Sequence, residues 1–462
     1  MSDKFDVAVI GGGPAGYVAA IRAAQLGGKV VLFERDAVGG TCLNRGCIPT
    51  KTFVKTGEAI ADFEKAPLRG VVFSAPVKAG VDMKKVVEYK NGVVHKLTSG
   101  VASLLRSNGV TVVKGAAALA AADKVRCGDK EYDAASVILC GGSKPLMPPI
   151  PGIDSRFVVT SNELLDYERV PERMVIIGAG IIGCEFAVPF ARFGSGVTLI
   201  EAAERVMPGM DEEVSKGLRQ GMESAGVRVL TSTRVERIEE KNGRALVLTG
   251  GETIETELVV AAIGRSPVLD CLGALASQAE TLNGEIVVDD SCRTSIPGVY
   301  ACGDVTDRSN LASTAFKMGE TAAECAMGMD SRVELRWVPT CVHAEPEAAC
   351  VGLTESEARE KYGSELLVGR FPLGGNGMCL AAGKGEGFVK VLAEKTCGEL
   401  LGVHILGGNA TELITEVCDL MTCEITVDEA AGIMHPHPAV SEAFMEACAD
   451  ALGRCVHLPK KR

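Results

Sequence analysis

The sequence predicts an α/β fold with two Rossmann-like dinucleotide-binding domains followed by a C-terminal α+β domain. Three observations predict it. A short apolar strand, Phe5 to Ile10, runs into Gly11-Gly12-Gly13-Pro14-Ala15-Gly16, an Ala-rich helix to about Gln25, and a second strand, Lys29 to Phe33, closed by Glu34. The same grammar returns as Met174 to Ile177, Gly178-Ala179-Gly180-Ile181-Ile182-Gly183, a helix through about Phe193, and the strand Gly196 to Ile200 closed by Glu201. From about Trp337 onward, strands such as Gly387 to Leu392 and helices such as Ala410 to Met421 carry no such fingerprint.

A lone glycine motif is weak, but here the first glycine precedes the acidic residue by 23 positions in both copies. Each copy also has its strand before and its helix after, the context that makes the fingerprint specific. The glycines permit a tight strand-to-helix turn and let pyrophosphate approach the N–H groups at a helix N-terminus, where the dipole favours anions. Glu34 and Glu201 then accept hydrogen bonds from ribose hydroxyls. A carboxylate at the second position repels a 2′-phosphate, so Glu201 favours NAD over NADP.

At 462 residues the chain is too long for one core, and roughly 150 residues per domain gives about three domains. The strand Val137 to Leu139 enters the glycine turn Cys140-Gly141-Gly142-Ser143, and the Pro-rich Met147 to Gly152 reads as a linker. Parallel junctions follow at Val259 to Pro267, through Gly264-Arg265, and at Gly298 to Asp304. The division expected is 1–146 for the first part of the first dinucleotide domain and 147–268 for the second dinucleotide domain. Residues 269–336 then complete the first, and 337–462 form the C-terminal domain.

Hydrophobic residues at 47% and charged residues at 23% are those of an ordinary globular protein. A net charge of -12 argues against nucleic acid as a partner, and the basic tail Pro459 to Arg462 is too short to change that. No apolar run reaches the roughly 18 residues of a membrane span, and Met1 to Phe5 shows no signal-peptide pattern. Seventeen scattered cysteines, an odd number, are unlike an extracellular disulfide framework. A cytoplasmic protein with mostly reduced, buried thiols is expected, in which any bridge is catalytic.

The pair that fits this description is Cys42 and Cys47 in Gly39-Gly40-Thr41-Cys42-Leu43-Asn44-Arg45-Gly46-Cys47-Ile48-Pro49-Thr50-Lys51. Residues five apart on a regular helix lie roughly 8 Å apart, beyond the disulfide limit near 7 Å, so a bridge needs a distorted turn. Gly39, Gly40, Gly46 and Pro49 supply irregular backbone and a new helix start, which also lowers a thiol pKa. Cys418 and Cys423 have identical spacing with neither Gly nor Pro between them and lie on a helical pattern, so they read as two packed thiols.

Near the C-terminus, Met434-His435-Pro436-His437-Pro438 places two histidines in a Pro-rigid loop, with Glu442 opening a helix. An imidazole oriented by a carboxylate is a general base for a thiol, although a loop histidine is more often merely solvated. His95, His343, His404 and His457 carry no local constellation and are left structural or unassigned. Zinc-type Cys/His spacing is absent, so no metal is proposed.

These residues resemble the flavin-dependent pyridine nucleotide:disulfide oxidoreductases, and within them the branch that acts on dihydrolipoyl groups. The resemblance covers essentially the whole chain. It rests on the first fingerprint, the Cys42 to Lys51 segment, the second fingerprint with Glu185 and Glu201, the Gly264-Arg265 and Gly303-Asp304 turns, and His437 with Glu442. It implies that Gly11, Gly13, Gly16, Glu34, Lys51, Gly115, Asp304 and Ala312 contact FAD. Gly178, Gly180, Gly183 and Glu201 serve NAD, with Thr41, Gly142, Val235 and Gly264 also among the cofactor contacts.

The resemblance further implies that Cys47 faces the flavin, Cys42 exchanges with substrate, and Lys51 pairs with Glu185. His437, oriented by Glu442 and delivered from the second subunit of a homodimer, is the acid/base. The C-terminal domain is then a dimerisation domain. The implied activity is oxidation of a lipoyl group on a partner protein, of a 2-oxoacid dehydrogenase or glycine cleavage complex, with reduction of NAD+. Arg45 and Cys140-Gly141 depart from the usual pattern. A glutathione-reductase or mercuric-reductase activity is disfavoured by Glu201 and by the non-adjacent Cys448 and Cys455; a mainly structural docking subunit is the alternative from another class.

Overall fold

The computed structural model describes residues 4–75, 77–308 and 310–460. Met1 to Asp3, and Lys461 and Arg462 of the basic tail, lie outside the described residues.

The first fingerprint builds a seven-stranded sheet. Its path runs from Thr111–Lys114 through Val30–Glu34 and Lys4–Ile10 to Lys130–Leu139, then to Lys124–Cys127 and Ala117–Ala121. The late strand Val299–Ala301 returns to pair in parallel with Lys130–Leu139, which joins two distant stretches of sequence in one sheet. Val7 to Ile10, Val30 to Phe33 and Val137 to Leu139 are all buried. Continuous apolar runs are what a parallel sheet covered on both faces requires. The helices Pro14–Gln25 and Ala312–Ala326 pack on it, with Ala15, Ala19, Ala315 and Met318 in one core.

The second fingerprint builds a five-stranded parallel sheet in the order Arg228–Leu230, Gly196–Ile200, Arg173–Ile177, Leu258–Ala261, Val158–Thr160. Where the chain enters and leaves this unit, Ser143–Pro145 and Arg265–Pro267 form an antiparallel pair. The expected linker from Met147 to Gly152 follows it and holds no regular element.

The third unit is an antiparallel five-stranded sheet, Thr340–Val342, Ala348–Gly352, Leu400–Leu406, Phe388–Glu394, Leu366–Pro372, covered by Ala410–Thr422 and Glu442–Ala451. A buried lysine joins it to the second unit. Lys390 Nζ lies 2.6 Å from Asp211 Oδ1 and 2.9 Å from Glu355 Oε2, with both the Lys390 and Asp211 side chains 2% exposed. The ammonium satisfies two carboxylates at once, the condition under which a buried charge is tolerated.

One further contact sets the site. Helix Cys47–Lys65 buries Phe53 against Phe186, Phe190 and Phe193 of helix Ile181–Phe193, with ring centroids 6.1 to 6.4 Å apart. An aromatic cluster of this kind is worth several kcal/mol, about 3–5 for truncating one buried Phe to Ala. It fixes the cysteine-bearing helix of the first unit against the fingerprint helix of the second.

Candidate active site

The two glycine turns are built alike. Gly16 and Gly183 each sit so close to the first glycine of their turn that a Cβ would lie 1.8 Å from Gly11 O and 1.9 Å from Gly178 O. Only glycine lets the helix start there. The helices Pro14–Gln25 and Ile181–Phe193 begin at Gly13 and Gly180 with no side-chain cap, which leaves their first N–H groups for an anion.

The acidic residues also match. Gly12 N donates to Glu34 Oε2 at 2.7 Å and Ala179 N to Glu201 Oε2 at 2.8 Å. The other oxygen of each carboxylate accepts from the backbone two residues on, at Asp36 and Ala203.

Both turns open into one cavity of about 1360 Å³. A pocket for a single small ligand occupies about 300–1,000 Å³, so this one has room for more than one. Gly11, Gly13, Gly16, Glu34, Thr41, Gly115, Gly142, Asp304 and Ala312 line one side, and Gly178, Gly180, Glu201, Val235 and Gly264 the other. Gly183 is buried under its own turn and does not line the cavity. Cys42, Cys47, Lys51 and Glu185 stand on its wall.

The cysteine segment is bent as its glycines dictate. Gly39 and Gly40 take positive φ, and a Cβ on Gly40 would lie 2.5 Å from Gly13 Cα, so this loop rests directly on the first fingerprint. Helix Gly40–Arg45 ends at Gly46, whose φ of -141° and ψ of -114° break the helix, and a second helix starts at Cys47. The break sets Cys42 and Cys47 close enough for each to act on the acidity of the other.

That contact divides their acidity. Cys47 is lowered to about 7, first by the hydrogen bond from the Cys42 thiol, then by Lys51 one turn along and by backbone N–H at the helix start, against the opposing effect of burial. Cys42 is pushed up by the same hydrogen bond and by burial. The thiolate belongs to Cys47.

Lys51 Nζ is held by Glu185, which is 4% exposed and also accepts from His343 N at 3.0 Å. Deeper in, Ser143 Oγ donates to Asp304 Oδ2, while Arg265 donates to Ser143 Oγ and Ser143 O at 2.7 Å and reaches Thr41 Oγ1 at 3.3 Å. Arg265 thus ties the turn after the second sheet to the cysteine segment.

A family profile described as pyridine nucleotide-disulphide oxidoreductase matches residues 5–319, and its dimerisation domain matches residues 338–448. The chain belongs to this family. It is an oxidoreductase of the disulphide class that uses FAD and NAD. Similar proteins include a dihydrolipoyl dehydrogenase of Bacillus subtilis, 37% identical over 98% of this chain and 99% of the relative. Dihydrolipoyl dehydrogenase 2 of Haloarcula marismortui is 38% identical over 98% of each chain. Among solved structures, LpdA from Mycobacterium tuberculosis matches with a TM-score of 0.88 at 27% identity, over 96% of this chain and 99% of that one. The HOCl-induced flavoprotein disulfide reductase RclA from Escherichia coli gives 0.86 at 26%, over 96% and 99%.

In this disulphide oxidoreductase the cavity offers two uncapped helix N-termini, a carboxylate at the end of each fingerprint strand, and volume for more than one ligand. His437 and Glu442 do not line it. His437 Nδ1 lies 2.8 Å from Glu442 Oε1, and the ring is 80% exposed on the third unit. Glu442 is held below its ordinary pKa by the N–H of Ala439 and by His437, so it is ionised and orients the imidazole.

Cys418 and Cys423, which share the spacing, have no helix break between them. Cys418 is half-buried on Ala410–Thr422 and Cys423 is exposed at its end, both free.

Two histidines read as unassigned have local partners. His343 lines the cavity beside Glu185, half-buried and lowered by burial and by Lys51. His457 Nδ1 lies 2.5 Å from Glu446, which also accepts from Cys455 Sγ. The first has no local sequence signal, because Glu185 lies 158 residues from His343, whereas His457 and Glu446 are eleven residues apart. Arg265 was visible only as part of a turn, and its role depends on Ser143 and Thr41 being brought to it by the fold.

Proposed function

We propose that the protein is a dihydrolipoyl dehydrogenase. It oxidises a protein-bound dihydrolipoyl group to the lipoyl disulfide, with reduction of NAD+ to NADH, through FAD and a Cys42/Cys47 redox pair. The observation that carries the reading is the bent segment at Gly46, which sets a Cys47 of lowered pKa beside Lys51 and Glu185 in the cavity shared by both dinucleotide cradles. The dihydrolipoyl dehydrogenases among the full-length relatives support the substrate.

FAD supplies a two-electron carrier and NAD+ a hydride acceptor when bound. Gly11, Gly13, Gly16, Glu34, Gly115, Gly142, Asp304 and Ala312 would hold the first. Gly178, Gly180, Gly183, Glu201, Val235 and Gly264 would hold the second. With the pair oxidised to a Cys42–Cys47 disulfide, the incoming substrate thiolate attacks Cys42 Sγ, the S–S bond breaks and Cys47 leaves as a thiolate, stabilised by Lys51; the second substrate thiolate then attacks the substrate sulfur of the mixed disulfide, Cys42 leaves, and the lipoyl disulfide departs. His437, held by Glu442, accepts the substrate thiol proton.

The exposed ring of His437 and its absence from the cavity wall of its own chain favour delivery across a homodimer, which the matching dimerisation domain supports. The division at 1–146, 147–268, 269–336 and 337–462 is proposed on the same footing, with the Ser143–Pro145 and Arg265–Pro267 pair as its hinge. The partner is a lipoyl-bearing subunit of a 2-oxoacid dehydrogenase or glycine cleavage complex. The cytoplasm is the proposed location, a reading that rests on seventeen scattered cysteines unlike an extracellular disulfide framework. Among the described residues no helix is long and apolar enough to cross a membrane.

The test is steady-state turnover of lipoamide, glutathione disulfide and Hg2+ with NADH and NADPH. NADH-dependent lipoamide reduction far above the other combinations is expected. Preference for glutathione disulfide, Hg2+ or NADPH would reassign the substrate, and a protein without reductase activity would be a docking subunit.

A further inference from the structure

A second pair of thiols lies behind the first fingerprint, outside the Cys42/Cys47 chemistry. Cys140 Sγ and Cys302 Sγ stand 3.4 Å apart and are buried, with exposures of 7% and 1%. They follow the strands Lys130–Leu139 and Val299–Ala301, which pair in parallel with Leu139 opposite Ala301. The two cysteines are therefore the next residues on neighbouring strands, where Cα atoms are about 5 Å apart, inside the range a disulfide spans.

Each cysteine leads into a turn of the FAD cradle. Cys140 opens Gly141-Gly142-Ser143 and Cys302 opens Gly303-Asp304, and the Ser143 hydroxyl already bonds the Asp304 carboxylate across the gap. A Cβ on Gly11 would lie 2.1 Å from Cys140 O, so the first glycine of the fingerprint rests on Cys140 itself. Both cysteines line the cavity.

We propose that Cys140 and Cys302 form a second, oxidisable dithiol, a modification site for small peroxides, whose closure to a disulfide ties the two turns together and slows the loss of FAD. The inference rests on FAD occupying the first cradle. Cys140, the more open to the cavity, attacks a peroxide oxygen; the O–O bond breaks, giving a sulfenic acid and water. Cys302, whose thiol is pushed up by its hydrogen bond to Cys140 and by burial, then displaces the sulfenic hydroxyl, which takes up the Cys302 proton and leaves as a second water. Two thiols and one hydrogen peroxide become one disulfide and two waters.

Burial keeps this reaction slow, so it answers an excess of peroxide and does not compete with turnover. The bridge joins residues 162 positions apart, and a cross-link over so long a loop removes many open states of the cradle.

The test uses the FAD-loaded protein carrying Cys42→Ser and Cys47→Ser, treated with hydrogen peroxide. Peptide mass mapping reads the cross-link, and the rise of free FAD fluorescence on dilution reads cofactor release. The expected result is a Cys140–Cys302 linked peptide with several-fold slower FAD release, reversed by dithiothreitol and absent in Cys140→Ala and in Cys302→Ala. No linked peptide, or a linked peptide with unchanged release from a yellow protein, overturns this inference alone. A protein that binds no FAD overturns the cofactor reading and this inference with it. Reversal by dithiothreitol in the unmutated pair decides the matter even where one alanine variant fails to fold.

Discussion

Lys51 Nζ stands 2.8 and 2.7 Å from the two carboxylate oxygens of Glu185, across 134 residues of chain. The pair joins the cysteine-bearing helix to the second fingerprint helix, above the Phe53 cluster that packs the same two helices together. Its position one turn after Cys47 makes it both a strut and a source of positive charge for the thiolate.

Breaking this pair from one side leaves Glu185 buried without a counter-charge, which costs about 3–5 kcal/mol. Lys51→Met is expected at the lower end, since the Lys51 side chain retains 29% exposure. Lys51→Met combined with Glu185→Leu should recover most of the loss. Denaturant unfolding of the four-member cycle measures it; additive costs would mean the two residues do not interact.

Cys47 is lowered to about 7, so its thiolate forms above that pH and is lost below it. The ultraviolet absorbance of the thiolate, taken as the difference between the reduced protein and its Cys47→Ser variant, should titrate with a midpoint near 7. Cys42→Ala removes the largest stabilising hydrogen bond and moves the midpoint upward; Lys51→Met moves it the same way. A midpoint at the ordinary thiol value of about 8.5 in all three proteins would contradict the assignment of the thiolate to Cys47.

His437→Gln should slow dihydrolipoamide oxidation by about 10²–10⁴, the usual worth of a positioned acid/base. Reduction of an artificial acceptor by NADH, which needs no thiol proton transfer, should survive. With His437 serving the neighbouring subunit, as proposed, mixed dimers of His437→Gln and Cys42→Ser chains should regain one working site of two. Inactive mixed dimers would place His437 in its own chain's site.

Asp211 and Glu355 are both held below their ordinary pKa values, with Lys390 prominent among the lowering causes in each against burial. A depressed carboxylate stabilises the fold above its unfolded pKa, and that contribution is lost as pH falls through the folded value. The tie between the second and third units should therefore weaken in acid. Lys390→Met should lower Tm strongly at neutral pH, by about 3–5 kcal/mol of stability, and the gap to the parent should narrow below about pH 4. A gap independent of pH would mean that Lys390 contributes packing alone.

The fold was legible where local signals agree. Both fingerprints, with strand, glycine turn, helix and closing carboxylate, need only a run of about 30 residues to be read, and their elements end within a residue or two of where the apolar pattern does. The cysteine segment was legible through Gly46, since a break was the one way to bring sulfurs five residues apart together. Spacing misleads on its own: Cys418 and Cys423 share it, but lie on the unbroken helix Ala410–Thr422 and its end, with no break like that at Gly46.

What stayed hidden is what the fold assembles from afar. Arg265 meets Thr41 across 224 residues, Lys390 meets Asp211 across 179, and Cys140 meets Cys302 only because Val299–Ala301 returns to the first sheet. His343 gave no signal because its partner Glu185 is 158 residues away. A sequence window cannot register such contacts.

The most direct measurement is an anaerobic mixing experiment that follows the flavin spectrum of the loaded protein as dihydrolipoamide is added, and then NADH formation as NAD+ is added. Rapid bleaching of the flavin followed by stoichiometric NADH, with both events lost in Cys47→Ser while FAD stays bound, is the expected result. A flavin that dihydrolipoamide does not reduce, or equal NADH formation by Cys47→Ser, would contradict a relay through the Cys42/Cys47 pair.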